Sequence, residues 1–341
     1  MRTIEWKDDG VYIIDQTKLS GKLVIIRCKD HNRLARAIET MEIRGAPAIG
    51  VAAAMGLALV AKNSKGRTIK ELKEDLSRAS ERFKATRPTA RNLFWALERM
   101  RKAWEGATDP SDLVNNVIKE AVEMAEEDVR TCKAIGRNGA TLILDGDRIL
   151  TYCNAGGLAC VEYGTALGVI RSAFESGKKI LVYVPETRPL LQGARLTTFE
   201  LKSEGIPFKL ITDNMIGYIM QKGLVNKVVV GADRITRRGD VFNKIGTYGI
   251  ALMAKAHGIP FYAAAPYSSV DLSAKAEDVI IEERKPEEVT HIANVRIAPE
   301  GVDVLNPAFD LTPGELVSGI ITEKGVLYPP YNLSVLLWQG H

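Results

Sequence analysis

Two side chains stand where apolar strands give way to polar loops. Cys153 follows the run 148–152, and Asp233 follows Val228-Val229-Val230-Gly231-Ala232. Two more loops of this kind are Glu186-Thr187-Arg188-Pro189 and Asp213-Asn214. In an open parallel sheet such loops emerge along one edge, where small-molecule sites form. Cys153 precedes Asn154-Ala155-Gly156-Gly157, a stretch able to turn tightly and aim amide N–H groups at an anion. That setting lowers a thiol pKa from its usual value of about 8.5 and frees the thiolate as base or nucleophile. A buried cysteine acting as a small hydrophobe is the alternative, and the residue alone does not choose. Asp233, just past an apolar strand, is the candidate acid, since a carboxyl kept neutral there can donate a proton. Its alternatives are an ion pair with Arg234 or a helix cap. Arg188, Gln192, Asn243 and Lys244 offer anion and hydroxyl binding, with Gly156 and Gly157 as further candidates. Asn243-Lys244 reads as the opening of a helix over 245–256, where a lysine opposes the helix dipole unless an anion sits there. The implied ligand is a small phosphorylated polar molecule.

Earlier in the chain, Arg44-Gly45-Ala46-Pro47 interrupts two helical runs, and Thr86-Arg87-Pro88-Thr89-Ala90-Arg91-Asn92 forms a basic loop opening another helix. An arginine beside a helix start is suited to phosphate oxygens. Solvated arginine is the ordinary alternative and fits Arg91 equally well. Phe94-Trp95 could line an apolar pocket, although an aromatic pair on a helix is more often core.

The elements that must carry these residues have two styles. Residues 4–28 alternate like a small β meander. Leu34, Ile38 and Met41 then recur at helical spacing, residues 48–61 form a small-residue apolar helix, and Asp109-Pro110 caps a helix continued by Leu113, Val117, Ala121 and Met124. From residue 139, strands at 148–152, 180–184, 208–212, 227–230 and 260–264 alternate with helices that end at Gly177, Gly205, Gly223 and Gly258. The expected fold is α/β: a mostly helical domain with a β meander over residues 1–138, then a doubly wound parallel-sheet, Rossmann-like domain over 139–341.

Composition narrows the function classes. The 341 residues are 46% hydrophobic and 26% charged, with 46 basic and 42 acidic side chains and a net charge of +4. The charges form no basic run of the kind that binds nucleic acid. No stretch approaches the roughly 20 apolar residues of a membrane span, and the first residues lack a signal-peptide core, so a cytoplasmic protein is expected. Cys28, Cys132, Cys153 and Cys160 contain no C-x-x-C pair and no histidine at zinc spacing, so neither metal nor cofactor is implied. Spacing does not decide whether Cys153 or Cys160 joins a disulfide. His31, His257, His291 and His341 lie outside the polar loops, which disfavours histidine catalysis.

Seven stretches in order carry a resemblance. They are 44–50 (Arg-Gly-Ala-Pro-Ala-Ile-Gly), 86–89 (Thr-Arg-Pro-Thr), 153–156 (Cys-Asn-Ala-Gly), 185–193 (Pro-Glu-Thr-Arg-Pro-Leu-Leu-Gln-Gly), 231–234 (Gly-Ala-Asp-Arg), 243–247 (Asn-Lys-Ile-Gly-Thr) and 306–310 (Asn-Pro-Ala-Phe-Asp). Together they resemble the methylthioribose-1-phosphate isomerases of methionine salvage, nearly end to end. The resemblance implies an aldose–ketose isomerase acting on 5-methylthioribose 1-phosphate, with a second copy of the chain as partner in a homodimer. It implies Cys153 and Asp233 as the catalytic pair and Arg44, Gly45, Ala46, Arg87, Gln192, Asn243 and Lys244 as substrate contacts. Ribose-1,5-bisphosphate isomerases and the non-catalytic regulatory subunits of initiation factor 2B are similar too, and set the alternatives. The N-terminal Ile4-Glu5-Trp6 and Asp15-Gln16-Thr17 favour the methylthioribose enzyme, whereas the basic Thr236-Arg237-Arg238 departs from expectation and leaves room for a second phosphate.

Overall fold

The computed structural model describes residues 1–65 and 68–333, so His341 lies outside the described residues. The chain forms two compact units, one of residues 1–132 with 156–164, the other of 133–155 with 165–341. The sequence-based boundary at 138/139 falls inside a helix, Pro110–Ala140, which the division cuts at 132/133.

The first unit begins with an antiparallel meander of β1 (Ile4–Lys7), β2 (Gly10–Ile14) and β3 (Ile25–Cys28), in which Ile4 faces Ile13 and Val11 faces Cys28. Five helices follow: α1 (His31–Glu39), α2 (Ala46–Asn63), α3 (Ile69–Lys84), α4 (Arg91–Glu105) and α5 (Pro110–Ala140). Their starts have local causes. Asp30 accepts the Arg33 N–H, Thr68 and Glu71 form a reciprocal capping box, and Asp109 accepts the N–H groups of Ser111 and Asp112. Each such cap typically contributes about 1 kcal/mol. α2 is apolar on every side, so only the centre of a core suits it. It is long and apolar enough by composition to cross a membrane, yet 78% of it is buried within the protein, packed against α1, α3, α4 and the meander.

The second unit contains β4 (Arg148–Leu150), α6 (Ala166–Glu175), β5 (Leu181–Pro185), α7 (Thr198–Ser203), β6 (Phe208–Ile211), α8 (Ile216–Gln221), β7 (Lys227–Gly231), β8 (Arg234–Thr236), β9 (Val241–Lys244), α9 (Thr247–Ala256) and β10 (Phe261–Ala264). Beyond these lie β11 (Val270–Asp271), α10 (Glu287–Thr290), β12 (His291–Ile292), β13 (Val295–Arg296), β14 (Phe309–Thr312), β15 (Gly319–Thr322) and β16 (Gly325–Leu327). The main sheet runs β16-β15-β10-β7-β4-β5-β6, parallel throughout except for β16. The central strands β5, β7, β10 and β15 are largely buried, as apolar strands of a covered parallel sheet are, whereas the edge strand β6 leaves Lys209 and Leu210 exposed. The expected helix ends are present: Gly177, Gly205, Gly223 and Gly258 have φ between 63° and 87°, the left-handed caps that glycine adopts without strain.

The order of the six parallel strands is that of a dinucleotide-binding sheet, 3-2-1-4-5-6, with β4 as the first strand and β7 as the fourth. The order of the strands reverses between β4 and β7, which run parallel side by side and mark the sheet's topological switch point. A second, four-stranded sheet, β11-β8-β9-β14, is inserted after β7.

Candidate functional site

Cys153 follows β4, and Asp233 follows β7. The two strands are neighbours, with Leu150 paired to Val228, so both residues emerge at the switch point. Ala155 approaches β7 so closely that a Cβ on Gly231 would lie 2.7 Å from the Ala155 Cβ. Both Cys153 and Asp233 are half-buried.

The loop after Cys153 is held by strain and hydrogen bonds. Cys153, Thr187 and Leu191 occupy the left-handed region at φ 59°, 65° and 56°, which is costly for a side-chain-bearing residue and most costly for a β-branched one. The buried Thr187 hydroxyl accepts the Cys153 N–H at 3.0 Å, and the Thr197 hydroxyl donates to the Cys153 carbonyl at 2.6 Å. Asn154 is buried and donates to Glu200 at 2.8 Å, a carboxylate that also pairs with Arg171. Asn154 therefore braces the loop from beneath. The expectation of a tight turn holds in altered form: residues 157–159 make a short 3₁₀ turn, and the bend itself falls at Cys153.

Residues 187–192 wrap a second strand end. The Asp213 carboxylate accepts the N–H groups of Thr187 and Arg188 at 2.8 and 2.7 Å. The Arg188 guanidinium donates to the carbonyls of Pro189 and Val289. Gln192 is buried, and its Oε1 has no hydrogen-bond partner among the described residues. A buried carbonyl oxygen left so costs about 1–3 kcal/mol unless a ligand or water satisfies it. It precedes a π-helical turn, Gly193–Thr197, where a Cβ on residue 193 would lie 1.9 Å from the Pro185 carbonyl. Only glycine permits that approach.

Asn243 and Lys244 end β9 and do not open a helix; Gly246, at φ 102°, caps α9 two residues later. The periodicity of 245–256 is genuine, but strand pairing with β14 extends through Lys244. Both side chains are buried, each 5% exposed. Asn243 donates to the Thr247 hydroxyl, while Lys244 donates to the Ala308 carbonyl and lies over the Phe309 ring. Asp233 joins the same strand group through its N–H, which donates to the Phe242 carbonyl at 2.9 Å. Arg234 pairs with Asp271 at 3.6 Å. Arg237 and Arg238 are exposed at the tip of the β8–β9 hairpin, at the far end of β8 from Asp233.

Two residues of this constellation escape sequence reasoning. Tyr152 donates to the Ile245 carbonyl at 3.0 Å, tying the end of β4 to that of β9. Burial pushes its phenol far above the usual range, reinforced by the neighbouring carboxyls of Asp213, Asp310 and Glu186. Asp310 accepts the N–H groups of Gly246 and Tyr248. Burial pushes its carboxyl up to about 6, against those N–H groups and the charge of Lys244. The signal for Tyr152 was its place beside Cys153; that for Asp310 was an acid ending the 306–310 stretch.

The remaining expected contacts lie in the first unit. Gly45 caps α2 at φ 102°, and a Cβ there would lie 2.5 Å from Cα and O of Ala159. Arg44 precedes that cap, Ala46 and Pro47 begin the helix, and Arg87 lies in the loop before α4. The two helix starts adjoin, since a Cβ on Gly50 would lie 3.0 Å from the Asn92 carbonyl. Arg44 and Arg87 therefore precede two helices that pack together near their starts, and backbone N–H groups at helix N-termini favour an anion. Gly156 bridges to Gly164, and the Gly157 carbonyl accepts the Thr3 hydroxyl. All four cysteines are free thiols. Trp95 is half-buried against the helical core and Phe94 is 37% exposed.

The sequence profile of the initiation factor 2 subunit family matches residues 42–329. The methylthioribose-1-phosphate isomerase of Thermotoga petrophila is 54% identical over 339 residues, 98% of this chain and 97% of that protein. Among solved structures, the 5-methylthioribose 1-phosphate isomerase of Pyrococcus horikoshii OT3 is 45% identical, with a TM-score of 0.92 over 99% of this chain and 96% of its own. A chain from A. fulgidus described as translation initiation factor eIF-2B, subunit delta, is 50% identical, with a TM-score of 0.89 over 99% of both chains. With end-to-end identity of this order and a matching family profile, the chain belongs to the initiation factor 2 subunit family, among its methylthioribose-1-phosphate isomerases.

Proposed function

We propose that this protein converts 5-methylthioribose 1-phosphate into 5-methylthioribulose 1-phosphate. The observation that carries the reading is the emergence of a thiol and a carboxyl from adjacent strands at the sheet's switch point, in a chain 54% identical to a named isomerase of that substrate. A phosphate on the anomeric carbon blocks the simple ring opening of a free sugar, so the ring oxygen needs a proton. Neutral Asp233 supplies it and the C1–O bond to the ring breaks. Cys153 as thiolate removes the C2 proton, giving an enediol-like intermediate, and returns it to C1. The C2 hydroxyl proton passes back to Asp233 as the ketone forms, leaving both groups as they began. The second route retains the C2 hydrogen: it moves to C1 as hydride while Cys153 shapes an apolar surface beside it. Arg44, Gly45, Ala46, Arg87, Gln192, Asn243 and Lys244 are the proposed substrate contacts, and the buried unpartnered oxygen of Gln192 supports its inclusion.

A cytoplasmic homodimer belongs to the same reading. Ile280, Val295, Ile297 and Leu305 are 57–82% exposed, apolar surface of the kind a subunit contact covers. Sedimentation at dimer mass supports this part, and a monomer at working concentration refutes it.

The test of the activity is incubation with 5-methylthioribose 1-phosphate and, separately, ribose 1,5-bisphosphate, with ketose formation followed by NMR. Turnover of the first is expected. Turnover of the second alone transfers the protein to the bisphosphate reaction, and silence with both points to a regulatory role without catalysis. In deuterated water, deuterium at C1 of the product supports the proton route, whereas full retention of the C2 hydrogen supports the hydride shift.

A further inference from the structure

Asp310 faces Asn243 across the β9–β14 pair, and directly opposed residues in such a pair have Cβ atoms about 5 Å apart on one face of the sheet. Asp233 immediately precedes β8, whose first residue pairs with Phe242. Asn243 thus lies between two strand neighbours, one leading from the proposed acid and the other carrying a second carboxyl.

The Asp310 carboxylate spends only one oxygen on the fold. Oδ2 accepts the Gly246 N–H at 2.7 Å and the Tyr248 N–H at 3.1 Å, closing the turn that follows Lys244. Oδ1 is shielded from solvent and has no hydrogen-bond partner among the described residues. The same turn is held from its other side by Asn243 and Lys244, since Asn243 donates to Thr247 and Thr247 donates to the Lys244 carbonyl. The side-chain groups shown to interact electrostatically with Asp310 are Lys244 on β9 and Tyr152 from the end of β4, while Tyr248 reaches it through its backbone N–H. Lys244 is the cation among them, and a buried cation needs a nearby negative charge.

We infer that Asp310 is a positioning residue for the proposed isomerase: as carboxylate it pins the turn 244–248 and so fixes Asn243 and Lys244 for substrate binding. The inference rests on the proposed function for its kinetic consequence and on geometry alone for its structural one. Protonation weakens an acceptor of two N–H groups and removes the countercharge of Lys244. Burial brings that event up to about pH 6, so kcat/KM should fall as pH drops through that value.

Asp310→Asn and Asp310→Glu provide the test, with circular dichroism and melting curves verifying the fold. For wild type, kcat/KM is expected to decline below about pH 6. In Asp310→Asn that limb disappears and KM rises about tenfold with kcat changed less, while Asp310→Glu restores the limb. An unaltered pH profile and KM in Asp310→Asn overturns the inference. Hydrogen exchange of the Gly246 and Tyr248 amides reads the same role without turnover: at pH 7 Asp310→Asn should lose at least tenfold protection there, and equal protection overturns the inference. Absence of wild-type turnover refutes the proposed function, and the exchange measurement then decides the positioning role by itself.

Discussion

At the residue scale, Asp233 and Cys153 are separable by what each substitution retains. Asp233→Asn keeps the volume and the backbone N–H bond to Phe242 but removes the acid. Turnover is expected to fall by about 10²–10⁴-fold, the usual worth of a placed acid or base, with an unchanged melting temperature; near-native activity would exclude Asp233 as the acid. Cys153→Ser preserves size and replaces the thiol, and a comparable fall is expected by either proton or hydride route. Thr187 makes a different kind of prediction. Its hydroxyl accepts the Cys153 N–H while its backbone sits at φ 65°. Thr187→Val keeps the branched shape and strands that N–H, so a loss of about 1–3 kcal/mol in urea-measured stability is expected, accompanied by reduced kcat because Cys153 is no longer held. Unchanged stability would mean the bond is dispensable.

Elements matter here through how closely they meet. Gly45 tests this, because its φ of 102° and the 2.5 Å approach of Ala159 each forbid a side chain. Gly45→Ala should destabilise by about 1–3 kcal/mol and raise KM by moving Arg44; a shift in neither urea midpoint nor KM would show that the α2 start tolerates displacement. The sequence made the helices and parallel strands legible because their causes are local: Asp109 before Pro110, the glycines at 177, 205, 223 and 258, and apolar strand runs. It also placed Cys153 and Asp233 just beyond two strands, and the pairing of β4 with β7 makes those strands neighbours. It misread Asn243-Lys244 as a helix start because the partner that makes them a strand, β14, lies more than sixty residues away. The same distance hid Asp310. Thr187 and Thr197 were invisible for a related reason: a threonine acquires a role only when tertiary packing brings a remote N–H or carbonyl to it.

For the whole molecule, pH sensitivity of stability follows from buried carboxyls. Asp128 on α5 lies with Cys132 and Cys160 in a group in which a carboxylate oxygen and the two Sγ atoms are all within 4.8 Å of one another, and it accepts the Val161 N–H at 2.7 Å. Burial pushes its carboxyl up to about 7, Glu127 adds to this, and the Val161 N–H opposes it. The folded protein therefore holds a proton that the unfolded chain, near its ordinary value of 3.8, has already released. Stability contributed by the neutral acid is full below that value and declines as pH rises toward about 7, because the unfolded state binds fewer protons across the interval. Asp310 acts in the same direction up to about 6. Glu39 acts oppositely: its hydrogen bond and ion pair with Arg82 lower its pKa, so its contribution is lost on acidification. Asp128→Asn keeps an acceptor for Val161 and cannot ionise. Its urea-measured stability relative to wild type should therefore improve between about pH 5 and about pH 8, by an amount on the order of 1 kcal/mol or more. A constant difference between the two proteins across that range would mean that Asp128 ionises as readily in the folded state as in the unfolded one, and that the carboxyl beside Cys132 and Cys160 is solvated in solution.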